Sequence, residues 1–136
     1  MNREISLSEI YEEIKAKKKI DSDVASFLFK KYGDRFIRAL ELVNSRRIIK
    51  YIFLPSKIER WVVIGKHDKY LVFPRTFCQC NDFYLSVVIR KSIDACYHLL
   101  AQTISEAVGN YEEKAMDDSE YAQFINEFYE LRHDSR

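Results

Sequence analysis

Apolar positions in residues 1–45 recur at helical spacing in three consecutive blocks. Leu7, Ile10, Tyr11 and Ile14 fall on one side of a helix predicted over residues 8–19, with Ser6 or Ser8 as its cap and charges on the opposite face. Asp21 or Ser22 caps a second helix, DVASFLFKKYG. Gly33 ends it, because glycine enters the left-handed conformation of a helix C-terminus without a Cβ clash. Asp34 then opens a third, DRFIRALELVNS, whose stripe is Phe36, Ile37, Leu40 and Val43. Three short helices with little between them predict a packed N-terminal layer.

At Arg46 the period shortens. RIIKYIFL and ERWVVIG are rich in β-branched and aromatic residues, and Pro55-Ser56 between them is a turn signal, so they predict an antiparallel pair. KYLVF is a third strand of the meander, reached through the polar KHDK turn. The segment DFYLSVVIRKS fits a strand or a helix by period alone, and a helix is the reading preferred here. From Asp94, DACYHLLAQTISEAV predicts a helix with Leu99, Leu100, Ile104 and Val108 on one stripe and Gly109 at its end. A last amphipathic helix, about residues 118–132, aligns Tyr121, Phe124, Ile125, Phe128 and Leu131. That aromatic stripe must be covered by something.

The elements sum to an α+β fold: N-terminal helices packed on a short antiparallel β-meander, then C-terminal helices. At 136 residues one domain is expected. Within it, residues 1–45 form the helical region, 46–108 the meander and the segment after it, and 109–136 the final helix. Hydrophobic residues at 47% and charged residues at 32% are the mix of a soluble globular protein. No apolar run approaches the roughly 20 residues that span a bilayer, and the N-terminus has no unbroken apolar core suited to a signal peptide. An intracellular protein is expected, cytoplasmic in a prokaryote or archaeon and nuclear in a eukaryote.

The formal net charge of +1 conceals an asymmetry. Residues 1–76 carry 17 Lys+Arg against 10 Asp+Glu, whereas residues 77–136 carry 5 against 11. Lys17, Lys18, Lys19, Arg46, Arg47 and Lys50 are candidate phosphate contacts, with Tyr51, Phe53 or Trp61 as candidate base-stacking rings. Tyr121, Phe124, Phe128 and Leu131 are candidates for a partner-binding surface, against the default that an amphipathic helix packs on its own fold.

All three cysteines, Cys78, Cys80 and Cys96, fall within nineteen positions, and His98 follows the last. An odd number argues against a framework of paired disulfides and for a reducing compartment. Zinc prefers thiolate and imidazole ligands in a tetrahedral cage, and two close ligands from each of two chain segments are the usual way to build one. Cys-x-Cys, fifteen residues, then Cys-x-His supplies that pattern. Taken singly, a buried cysteine is more often a small hydrophobe; four ligands in two tight pairs predict one Zn²⁺ held by Cys78, Cys80, Cys96 and His98. Four protein ligands leave no open position, so the ion is expected to be structural. Its net charge of about −1 needs an offset, which nearby backbone N–H groups and basic side chains such as Arg90 or Lys91 are expected to supply. His67, in a turn, and His133, near the end, are expected in solvent.

The Cys-x-Cys…Cys-x-His order, leading into the aliphatic HLLA helix, resembles the SWIM zinc finger, a spacing rarer than the CxxC pairs of most zinc modules. FLFKKYGDRFIRALELVNSRRI, the meander, and CQCNDFYLSVVIRKSIDACYHLLAQTISEAV together resemble the small single-domain SWIM proteins of Shu-type complexes. The similarity runs over residues 27–108. Asn81 stands after Cys80 where a proline is common, a departure outside the ligand set. The resemblance implies a non-enzymatic accessory factor of homologous recombination and DNA repair. It would pair with a RecA-family recombinase paralogue as a heterodimer or higher complex, and promote or stabilise recombinase filaments on single-stranded DNA, contacted directly or through the partner. The alternative is a stand-alone SWIM zinc-finger protein that binds nucleic acid or serves transcription.

No enzyme site is expected. The chain has no GxxxxGK[ST] phosphate loop, so ATP hydrolysis would belong to a partner. The acidic pairs Glu12-Glu13, Glu112-Glu113 and Asp117-Asp118 fall on expected solvent faces or loops.

Overall fold

A computed structural model describes residues 5–134, with side chains as far as Tyr129. Three helices open the chain: α1 (Leu7–Lys17), α2 (Ser22–Tyr32) and α3 (Asp34–Asn44). Ser6 caps α1 in a full capping box, its hydroxyl accepting from the Glu9 N–H while the Glu9 carboxylate accepts from the Ser6 N–H. The Asp21 carboxylate accepts from the Val24 N–H at the start of α2. Gly33, at φ 58°, closes α2 and lets α3 begin at once.

The expected meander follows as β1 (Ile48–Leu54), β2 (Ile58–Ile64) and β3 (Lys69–Phe73), extended by the two-residue β4 (Phe77–Cys78). All are antiparallel neighbours, with Lys50 opposite Trp61, Val62 opposite Leu71 and Val72 opposite Cys78. Phe83–Ile89 is helical, as preferred from sequence, but wound as a π-helix. The helix predicted from Asp94 starts later: α4 is Tyr97–Val108, with Cys96 as its cap and Gly109, at φ 79°, ending it.

One strand escaped the sequence reading. β5 (Glu112–Asp117) lies parallel to β1 and completes the sheet order β4-β3-β2-β1-β5. Its sequence, EEKAMD, carries no β-branched residue and no alternation with an apolar face. Tertiary structure makes it a strand: α4 carries the chain back across the sheet, as a parallel pair requires, and drops it beside β1. Glu112, Glu113 and Asp117 are accordingly exposed on an edge strand, where charge discourages pairing with another chain. A short 3₁₀ turn (Asp118–Glu120) leads into α5 (Tyr121–Asp134).

The sheet has a core on each face. On one, Ile48, Trp61, Val63, Val72 and Cys78 meet α4 and, beyond it, α1 and α3. The N-terminal layer thus rests mainly on α4, which is buried from His98 to Ser105 because helices cover one side and strands the other. On the opposite face, Phe53, Val62 and Leu71 are covered by Phe124 and Phe128 of α5.

Candidate metal centre

The two halves of the Cys/His motif reach the same point by different elements. Cys78 ends β4, and the next residue, Gln79, prolongs the pairing: the Gln79 N–H donates to the Leu71 carbonyl, and the Leu71 N–H donates to Gln79 Oε1. Cys80 then leaves the sheet and precedes the π-helical segment. Cys96 caps α4 and His98 lies in its first turn. One ligand atom from each of the four lies within 4.8 Å of every other, and all four residues are buried. A tetrahedral zinc with Zn–S bonds near 2.3 Å sets its ligands about 3.8 Å apart, so only a small inward movement separates this cluster from a filled cage.

The surroundings fit an ion. Among the described residues neither ring nitrogen of His98 has a hydrogen-bond partner although both are buried, an expense that coordination of one nitrogen removes. The ring is fixed between Tyr97 and Tyr70, with centroid distances of 4.1 and 4.4 Å. Backbone N–H groups point at two of the sulfurs: Phe83 donates to Cys80 Sγ at 3.3 Å and Leu99 to Cys96 Sγ at 3.4 Å. The second places a thiolate at the positive end of α4.

The thiols alone do not share charge evenly. Burial pushes Cys78 and Cys96 up, while hydrogen bonds from those two thiols hold Cys80 down. One negative charge is thus tolerable in the cluster, and a dication is what lets all three sulfurs ionise. The centre is that of one structural zinc, with four protein ligands and no position left for water or substrate.

The compensating cation is a correction to the sequence reading. Arg90 and Lys91 stand exposed beyond the π-helical segment. Arg35 of α3 is the cation whose charge acts on Cys80 and Cys96, and its fork grips Asp82, with Nε to Oδ2 and Nη2 to Oδ1 both at 2.9 Å. Ser86 closes this network, donating to Asp82 and accepting from Arg35. On the other limb, Tyr32 and Lys31 both bind Asp94, two residues before Cys96. No local period marks Arg35, Asp82 or Asp94, because their partners lie 47 to 63 residues away. Gly65 was missed for the same reason: a Cβ there would stand 3.3 Å from His98 Nε2 and 3.0 Å from the Tyr70 ring.

The other candidate residues fall elsewhere. Lys17 pairs with Asp21 and Glu13, Arg46 with Glu112, and Lys50 with Glu59, so three of the six candidate phosphate contacts already have carboxylate partners. Lys18 ends α1 in the left-handed region, Lys19 is exposed, and Arg47 donates to the Gly65 carbonyl. Phe53 and Trp61 are core residues with no face open to a base, and the half-buried Tyr51 packs on Phe124. Tyr121 and Phe124 pack their rings on Phe53, and Phe128 packs on Phe124, so all three lie in the cluster over the sheet. The side chains of Leu131 and His133 lie outside the described residues, and His67 is exposed as expected.

No protein-family model matches the chain. Two curated proteins are similar to it over most of its length. It is 30% identical over 108 residues to the zinc finger SWIM domain-containing protein 7 homolog of Dictyostelium discoideum, covering 78% of this chain and 69% of that one. It is 27% identical over 122 residues to zinc finger SWIM domain-containing protein 7 of Danio rerio, covering 88% and 84% respectively.

Proposed function

The chain belongs to the zinc finger SWIM domain-containing protein 7 family, and from that premise we propose that it is a non-enzymatic accessory subunit of homologous recombination and DNA repair. In this reading it pairs with a RecA-family recombinase paralogue, as in Shu-type complexes, and the pair stabilises recombinase filaments on single-stranded DNA. It acts where recombination occurs, in the nucleus of a eukaryote or the cytoplasm of a prokaryote.

The observation that carries the reading is the closed, buried Cys₃His cage in a chain whose relatives are SWIM proteins. Such a cage braces β4 against the start of α4 and performs no chemistry. A protein built this way works through the surfaces it presents, and ATP hydrolysis falls to the partner. The stand-alone nucleic-acid reading draws less support, because Phe53 and Trp61 are buried and Lys17, Arg46 and Lys50 are paired.

Affinity purification of the tagged protein from its own organism tests the proposal. Recovery of a RecA-family ATPase in stoichiometric amount is the expected result; recovery of transcription factors alone would overturn it.

A further inference from the structure

Between the two ligand pairs, the sequence FYLSVVI forms the π-helical segment Phe83–Ile89. Phe83 and Ser86 point inward and Val87 is half-buried. The other face is apolar too: Tyr84 is 57%, Leu85 43%, Val88 45% and Ile89 56% exposed. Positions 84, 85, 88 and 89 share one side of such a helix, so these side chains form one surface rather than scattered contacts. A helix apolar on both faces belongs in an interior, and here solvent meets one of them.

The patch ends in charge. Arg90 and Lys91 follow directly, both exposed and neither with a carboxylate partner among the described residues. The segment is also firmly held. The Phe83 N–H binds the Cys80 sulfur, Arg35 clamps Asp82 and Ser86, and the Ser92 N–H returns to the Ser86 carbonyl. A rigid apolar face costs little conformational entropy to bury, which favours its use as a docking surface. Four large side chains so exposed amount to several hundred Å², on the order of the apolar centre of a stable interface.

We propose that Tyr84, Leu85, Val88 and Ile89, rimmed by Arg90 and Lys91, dock a partner protein whose contact face is apolar and flanked by carboxylates. The identification of that partner as a RecA-family paralogue rests on the functional reading above. The zinc then has a defined purpose: it anchors both ends of the segment that meets the partner.

Co-expression with the RecA-family paralogue of the same organism, followed by titration of the purified chains, tests this. Wild type is expected to form a one-to-one complex. Val88→Asp with Ile89→Asp is expected to weaken it by at least about a hundredfold, and Arg90→Glu with Lys91→Glu by about tenfold, each with zinc content unchanged. Wild-type binding at full strength in both double variants would overturn the docking surface while leaving the functional reading intact. Absence of any wild-type complex would overturn the functional reading and this occupant with it. Should Val88→Asp, Ile89→Asp fail to fold, the charge-reversed pair decides alone. A self-associated dimer, or binding to phosphatidylserine vesicles, that Arg90→Glu with Lys91→Glu abolishes would assign the face to a second copy or a lipid surface and overturn the proposal.

Discussion

The Cys96 sulfur accepts a hydrogen bond from the Leu99 backbone N–H at 3.4 Å, so one side chain both caps α4 and takes a corner of the metal cage. Folding of the helix and capture of the ion are therefore coupled through a single residue. Cys96→Ser keeps a capping oxygen and loses the thiolate. It is expected to bind less than about half an equivalent of zinc, by metal analysis of the purified protein, and to lose its near-ultraviolet circular dichroism. Chelation of wild type with EDTA is expected to give the same signature.

Zinc affinity itself is expected to fall with acidity. The Cys78 and Cys96 thiols, pushed up by burial, must lose protons before they can bind. The sign follows: protons compete with zinc, so the apparent affinity drops as pH goes from about 8 to about 6. Competition against a chromophoric chelator at each pH reads this directly, and a pH-independent affinity would show that the thiols are not the ligands.

Gly65 is predicted to be intolerant of a side chain. Its missing Cβ leaves room for Tyr70 and His98, and an added methyl would sit 3.0 and 3.3 Å from them. Gly65→Ala is expected to cost about 1 to 3 kcal/mol in denaturant unfolding and to weaken zinc binding by displacing His98. Gly33→Ala is the contrasting control. Its Cβ meets nothing within 4 Å, so any loss there comes from the positive φ and leaves zinc affinity unchanged.

Phe128 separates a core helix from a docking helix. It is 1% exposed and packs with Phe124 at a ring distance of 5.2 Å. Phe128→Ala is expected to destabilise the chain by about 3 to 5 kcal/mol, seen as a lowered unfolding midpoint of the isolated protein. Unchanged stability with loss of a partner would return this helix to the interface.

Trp61 is placed to report whether the sheet stacks on bases. Buried at 4% exposure and edge-on to Tyr111, it is expected to emit at short wavelength and to resist iodide quenching. Single-stranded oligonucleotides are expected to leave its emission unchanged.

The four zinc ligands were legible in the sequence because metal chemistry is specific about residue type and tolerates few spacings. Helices α1, α2 and α3 were legible because caps and glycine stops at Ser6, Asp21 and Gly33 are local devices. The meander was legible because its β-branched runs are interrupted by turn residues. Each of these signals acts within a few residues.

What only tertiary structure decided lies between distant residues. EEKAMD became a strand because α4 delivers it beside β1, and Arg35 became the counter-charge to the sulfurs because α3 packs against the start of α4. FYLSVVI read as apolar in either secondary structure, and only the fold shows that one face is buried while the other remains open to solvent. A sequence fixes composition and short-range geometry. Which charges meet, and which apolar surface goes uncovered, depends on contacts closed over 47 residues or more.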